Sequence, residues 1–318
     1  MGDAVAARTA GSGRLGPSRP LARARWAPAS VRAREARREI EERSPGDAQF
    51  RASLVDCWAD LPSSLPSGRG ASRSPADTPV WWYWADGVDQ APALVRRCLE
   101  SVQAHRGEHP VVVLDRSTWS SYVDLPEHVL ARRGAMTETH FSDILRTALL
   151  ASRGGVWLDA TVLLTAPLEE TSRLAGPSGF YAFTRPCDPF VMSSWCMAAA
   201  PGNALVAVLR DLLSAYWRRH DELGHYFLLH FLAEVAMTMH RPSRRIWEGT
   251  PVRSFEPPHE LQHALGEPFD PARLDRILRG SGVHKLNWRV EEQLRADGRD
   301  PGGTFLEAVV RGDVTGAR

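Results

Sequence analysis

The stretch His140-Phe141-Ser142-Asp143-Ile144-Leu145-Arg146, followed at Gly154 by Gly154-Gly155-Val156-Trp157-Leu158-Asp159-Ala160-Thr161, decides how this chain is read. Phe141, Ile144, Leu145, Ala148 and Leu149 recur at i, i+3, i+4 spacing, the pattern of a helix with one apolar stripe. Asp143, Arg146 and Leu150 take the opposite side, so an acid and a base stand one turn apart and away from the stripe. Gly154-Gly155 stops the helix, because glycine enters the left-handed position after a helix without steric cost. Val156 to Leu158 is the short apolar run of an inner strand, and Asp159 arrives where that strand emerges. Open α/β sheets bind ligands beyond the carboxyl ends of their strands. A carboxylate delivered there suits a divalent cation that carries a diphosphate.

The same alternation extends on both sides. Val80 to Trp84 reads as a first strand with Asp86-Gly87 as its turn. Pro92 opens a helix whose buried stripe is Leu94, Val95, Cys98, Leu99 and Val102, and Val111 to Leu114 is a second strand ending at Asp115. Strand, helix, strand, helix, strand predicts an α/β fold: a mostly parallel central sheet with helices on both faces. Phe180 to Thr184 and Trp195 to Ala199 read as further strands. Asn203 caps a helix running to Arg218, and another spans about Leu223 to Met239. From Pro257 the chain is rich in Pro, Gly and charge, and only one short helix, Pro271 to Leu278, is expected before His284. There is no internal repeat.

Composition narrows the function classes. With 43% hydrophobic and 24% charged residues, the 318-residue chain is an ordinary globular protein. A formal charge of +1 gives no field that would gather nucleic acid. Eleven Trp is a high number, and Trp both packs in cores and stacks on flat ligands. Cys57, Cys98, Cys187 and Cys196 are far apart without metal-type spacing, which fits a reducing compartment. Residues 1–75 are rich in Ala, Arg, Gly, Pro and Ser and are expected to form a disordered extension, with an isolated charged helix over residues 31–43. No apolar segment follows the early arginines, so no secretory signal is read. No run approaches the ~20 apolar residues needed to span a bilayer. The expected location is the cytoplasm, including the inner face of the membrane, with at most peripheral membrane association.

Six segments in order carry a resemblance. They are Val80-Trp81-Trp82-Tyr83-Trp84-Ala85-Asp86-Gly87, Val111 to Asp115 with Tyr122 to Pro126, and Phe141-Ser142-Asp143 with Arg146. Then come Gly154-Gly155 to Thr161, Ser193-Ser194-Trp195, and finally Tyr226 to His230 with Val283-His284-Lys285-Leu286. Together they resemble the capsular polysaccharide synthesis proteins. That family is related to the yeast initiating mannosyltransferases and the clostridial glucosylating toxins, which are sugar-binding glycosyltransferases of DXD type. The resemblance implies a GT-A nucleotide-sugar transferase fold over residues 76–295, with residues 296–318 as a C-terminal tail.

It further implies a hexosyl transfer from a nucleoside diphosphate sugar to a glycan or lipid-linked glycan, with Mn²⁺ or Mg²⁺ as cofactor and retention of anomeric configuration. On this reading Asp159 contacts the metal bound to the donor diphosphate. The second acid of the wider DXD pattern is replaced by Thr161, whose hydroxyl is a poorer ligand, so His284 is expected to supply another. Lys285 meets the diphosphate as a point charge, while Asp143 and Arg146 hold the donor sugar. Trp84 or Tyr83 stacks on the nucleobase, Ser142 flanks the site, and Ser194 and Trp195 lie on the acceptor side.

Each assignment has a plainer counterpart. Asp159 could cap a turn, Asp143 and Arg146 could be a surface ion pair, and His284-Lys285 could belong to a loose tail. Trp84 and Tyr83 could be core. His225 stands where relatives carry an acid before the tyrosine, which speaks against a catalytic acid there. The rival function is a catalytically weak nucleotide-sugar or glycan-binding protein on the same fold, suggested by Thr161. A sugar phosphotransferase would be expected to carry a G-x-x-x-x-G-K phosphate loop, which this sequence lacks.

Overall fold

A computed structural model describes residues 29–43, 47–169, 173–187 and 190–314. Its central sheet has five strands. Val80–Tyr83 (β1) lies between Val111–Leu114 (β2) and Gly155–Asp159 (β3), parallel to both. Phe190–Ala199 (β6) pairs antiparallel with β3, and Phe180–Cys187 (β5) pairs antiparallel with β6. Two reversals restore the direction, so β5 runs with β1, β2 and β3, and only β6 opposes them. The sheet is mostly parallel, as the alternation of elements predicts. Val162–Leu164 (β4) leaves the main sheet and pairs antiparallel with Val283–Lys285 (β7).

Strand alternation sorts the side chains to two faces. Trp81, Tyr83, Trp157 and Met197 join one apolar cluster with Phe141 and Leu145 of the helix Glu138–Arg153 (α5). Val80, Val156, Leu158 and Cys196 join Val102 on the other face. Val102 belongs to the helix Ala93–His105 (α3), whose predicted stripe is buried throughout. Helices cover both faces. Gly154 ends α5 at φ 68°, and a Cβ there would lie 2.6 Å from the backbone nitrogen of Pro201. Only glycine meets both demands. Asn203 caps Ala204–Arg219 (α6), accepting a hydrogen bond from the Leu205 N–H.

Three boundaries differ from the sequence reading. First, residues 1–75 are not an unstructured extension from residue 29 onward. Ala29–Arg43 (α1) forms the expected charged helix, but it is not isolated: it packs on Leu228–Met239 (α7), with Ala36 and Ile40 buried. Leu54, Val55 and Cys57 enter the main core. Arg51, 1% exposed, forms a bidentate pair with Glu234 of α7 at 2.6–3.0 Å. Here a few apolar positions among many charged ones suffice because the surface they meet is already built. Residues 1–28 lie outside the described residues.

Second, residues 296–318 are not merely a tail. Phe305–Arg311 (α12) packs on α3, and Phe305 and Val309 are fully buried. The segment after Pro257 also carries more helix than expected. Glu256–Ala264, Pro271–Gly280 and Val290–Ala296 form α9, α10 and α11, counting Arg241–Glu248 as α8. Glu127–Leu130 and Ala48–Ser53 are the short helices α4 and α2. Third, α5 has no exposed side over residues 143–151. Packed between the sheet and α6, it buries Asp143 (5% exposed), Arg146 (2%) and Leu150 (0%) as well as its apolar stripe.

Candidate active site at the carboxyl edge of the parallel strands

The parallel strands β1, β2 and β3 end side by side at Tyr83, Leu114 and Asp159. A cleft of about 700 Å³ opens at the first two of these ends, lined by Ala85, Asp86, Gly87, Gln90, Asp115, Arg116 and Ser117. The sequence reading saw Asp86-Gly87 and Asp115 only as element ends. Their common address beyond parallel strands was the available signal. Asp115 is held by its own turn, accepting from the Ser117 N–H at 2.8 Å and the Thr118 N–H at 3.0 Å. Arg116 pairs with Asp86 and with Glu138 at the start of α5.

Asp159 stands at the neighbouring strand end with its side chain 23% exposed. Its Oδ1 accepts from Trp157 Nε1 at 2.9 Å and from Arg146 Nη2 at 3.0 Å, and its Oδ2 accepts from Lys285 Nζ at 3.1 Å. Burial works to raise its pKa. The Arg146 guanidinium, the Lys285 ammonium and these hydrogen bonds outweigh burial and hold the carboxyl below its ordinary range. Asp159 is therefore an anion at neutral pH.

Arg146 is the hub. Its Nε donates to the Ser142 carbonyl (3.3 Å) and its Nη1 to the Ser194 carbonyl (2.6 Å). Nη1 also lies 3.3 Å from Asp143 Oδ1, and Nη2 donates to Ser142 Oγ (2.9 Å) and Asp159. The guanidinium further sits 5.1 Å from the centre of the Trp157 ring. A guanidinium has five N–H donors; four hydrogen bonds and the ion pair to Asp143 surround this one. Arg146 thus ties α5, β3 and β6 together and joins two carboxylates. The plainer alternative, a surface ion pair, is replaced by a buried network.

Asp143 is the less settled anion: burial pushes its pKa up to about 7, against the lowering effect of Arg146 and with the charge of Asp159 adding to the rise. Beside it, His140 accepts at Nε2 from Trp217 Nε1 (2.8 Å), so its proton belongs on Nδ1, which lies 3.9 Å from Asp143 Oδ2. Burial, helped by Arg146, lowers the His140 pKa to about 4.

The remaining predicted residues divide. Lys285 and Thr161 join Asp159: Lys285 Nζ also donates to Thr161 Oγ1, and β7 is fixed by its ladder to β4 and by the Leu286 N–H donating to the Thr161 carbonyl at 2.9 Å. Ser142 and Ser194 lie in the site through Arg146. His284 does not. Neighbouring residues on a strand face opposite ways, so Lys285 reaches Asp159 while His284, fully buried, is turned to Thr165 Oγ1 at 3.0 Å. Trp195 is stacked on Phe183 at 4.7 Å and offers no open face. Tyr83 is buried, with its hydroxyl donating to Glu138 Oε2 at 3.0 Å. Trp84 follows β1 and packs edge-on to Trp288, at 5.7 Å, rather than standing free.

Two residues outside the predicted set belong here. Trp157 orients Asp159. Tyr226 leaves 60% of its surface open, yet desolvation and the charges of Asp143 and Asp159 raise the pKa of its hydroxyl. His225, by contrast, lies 3.4 Å from Asp47 and faces away.

The donor set fits a divalent cation poorly. Among the described residues no three His, Cys, Asp or Glu side chains form a metal-holding group. Both Asp159 oxygens and the Thr161 hydroxyl already face cationic side chains. A dication entering there would meet two positive charges against one firmly ionised carboxylate. The metal set Asp159, Thr161 and His284 is therefore not assembled.

Comparison with known proteins places this geometry in context. The O-glycosyltransferase PaGT of Phomopsis amygdali is 30% identical over 164 residues, covering 46% of this chain and 38% of that protein. The chain thus spans well under half the length of that relative. The solved PaToxG glycosyltransferase aligns over 79% of this chain and 95% of its own, at 13% identity and a TM-score of 0.36. The family described as capsular polysaccharide synthesis protein matches residues 68–300. That match takes in every strand and the whole of the Asp143–Arg146–Asp159–Lys285 cluster, and the chain belongs to the capsular polysaccharide synthesis protein family.

Proposed function

We propose that this protein is a glycosyltransferase of GT-A type that moves a hexosyl group from a nucleoside diphosphate sugar to a hydroxyl of a glycan or lipid-linked glycan. The observation that carries this reading is the Arg146-linked carboxylate pair, set with Lys285 beside the cleft at the ends of β1 and β2. The nucleoside would occupy that cleft, with the diphosphate running toward Asp159 and Lys285. The sugar would then come to lie near Asp143.

Chemically, the bond from the anomeric carbon to the β-phosphate oxygen breaks and leaves its electron pair on the diphosphate. The acceptor oxygen bonds to the same carbon. We place the acceptor's proton on the departing diphosphate oxygen and the attack on the same face, which retains configuration. The Lys285 ammonium stabilises the charge that gathers on the leaving group, in a site partly closed to water. Asp159 fixes Lys285 and Arg146 and has capacity for one further hydrogen bond, from a donor hydroxyl. Arg146, held by four hydrogen bonds and its ion pair to Asp143, is a positioning residue. Much of the acceleration would then come from holding donor and acceptor in register.

The test is a panel of nucleoside diphosphate sugars incubated with the purified protein, with release of free nucleoside diphosphate as the readout. Turnover of one donor, increased by an added glycan, is expected. Binding of a nucleotide sugar without turnover under any condition would favour the rival reading, a binding protein on this fold.

A further inference from the structure

The geometry points to Lys285 as the resident cation of this site, taking the place of a divalent metal, so that the donor diphosphate is handled without Mn²⁺ or Mg²⁺. This inference rests on the transferase reading for its substrate. Its structural basis stands on the side chains alone.

A metal carried by the Asp159-Ala160-Thr161 turn would use Asp159 and Thr161, the two oxygen-bearing side chains the turn presents. Lys285 Nζ contacts both, at Asp159 Oδ2 and Thr161 Oγ1. The ammonium does not reach that position by chance of rotamer alone. The register places Lys285 directly opposite Val162, one residue beyond Thr161, and the Leu286 N–H closes the ladder on the Thr161 carbonyl. The backbone thus carries the lysine to the turn, while the same strand directs His284, the remaining candidate ligand, to Thr165.

Charge makes the exchange coherent. Facing Asp159 are two cations, Arg146 and Lys285. Two cations thus already stand at the carboxylate to which a metal would otherwise bring positive charge. Thr161 in place of a second acid fits the same economy, since a second carboxylate would be needed to hold a dication but is not needed to hold an ammonium. Lys285 remains 22% exposed and uses two of its three N–H donors, which leaves the third for a phosphate oxygen.

Two readouts test this. In the first, Mn²⁺ alone is titrated into the full chain and free Mn²⁺ is followed by electron paramagnetic resonance. The wild-type protein is expected to bind none tightly. A stoichiometric Mn²⁺ site that disappears in Asp159→Asn would overturn the inference, whatever the enzyme does with donors. In the second, turnover of the donor found in the panel is compared in EDTA and in Mn²⁺. Wild-type turnover is expected to change less than twofold, Lys285→Met to lose on the order of a hundredfold in both, and Lys285→Arg to recover part of the loss. Turnover that requires Mn²⁺ would refute the role of Lys285 and leave the transferase reading standing. Turnover in EDTA that survives Lys285→Met also refutes it. No turnover of any donor, with or without Mn²⁺, would instead refute the transferase reading, and the Mn²⁺ titration would still decide whether the lysine fills the metal position.

Discussion

Replacing Arg146 by Met removes one guanidinium and leaves its apolar neighbours nearly undisturbed. If Asp143 and Arg146 were a surface pair, the loss would be under ~1 kcal/mol. The structure predicts far more. Arg146 is 2% exposed, bridges Asp143 and Asp159, and donates to two carbonyls on α5 and β6. Breaking a buried pair by removing one partner costs roughly 3–5 kcal/mol. Asp143 can escape part of that cost by taking up a proton, because its pKa already stands at about 7. The expected loss is therefore at the lower end, roughly 3 kcal/mol, or about 4–5 °C in Tm for a chain of this size. Urea unfolding followed by tryptophan fluorescence measures it. Arg146→Lys should fall between wild type and Met, since an ammonium has three donors rather than five. Arg146→Met combined with Asp143→Leu should be more stable than Arg146→Met alone, because it removes the orphaned carboxyl. A loss below 1 kcal/mol for Arg146→Met, or strict additivity in the double variant, would refute the buried network.

Arg51→Met should destabilise the protein by a similar amount, roughly 3 kcal/mol, because it strands Glu234 in the core, and the same unfolding assay reads it. Neutral stability would show that α2 does not dock as described. Gly154→Ala should cost more than 1 kcal/mol, since it combines a left-handed φ with a clash at Pro201, and a Tm equal to wild type would contradict that backbone. Acid should weaken the fold between pH 6.5 and 4. Burial lowers the pKa of His140, His230 and His284 to about 4, so in this window the unfolded chain binds more protons and stability falls as pH falls. Asp143 works the other way, its raised pKa adding stability as pH falls below 7, but it is one group against three. Tm measured from pH 7.5 to 4.5 should decline, and a rise would mean that the histidines are not held neutral.

What the sequence revealed depended on periodicity. The stripes of α3 and α5, the Gly154 stop and the strand ending on Asp159 each repeat locally, and each is found where expected. Strand alternation also accounts for Trp82 and Trp84 joining one cluster. What failed was context. Asp143 and Arg146 look like a solvent-facing pair when α5 is drawn alone, because the wheel does not include α6 and β6 on the other side. The charged helix α1 has too few apolar residues to suggest a core, yet Ala36 and Ile40 meet α7, a surface made some two hundred residues later. The resemblance directs both His284 and Lys285 to the metal and diphosphate at Asp159. Strand alternation allows only one of them to reach it, and choosing between them required the register of β7 against β4, which no local pattern encodes.

The most direct measurement of the central claim is turnover of the donor by Asp159→Asn beside wild type, with unfolding of both recorded in parallel. Asp159 anchors Lys285 and Arg146 and stands ionised at the end of β3, beside the cleft. Its neutralisation should lower kcat/KM by roughly two to three orders of magnitude, equivalent to about 3–4 kcal/mol of transition-state stabilisation. The folded structure should survive, since Arg146 keeps Asp143 as a partner. A folded Asp159→Asn protein that turns over the donor at near wild-type rate would contradict the account.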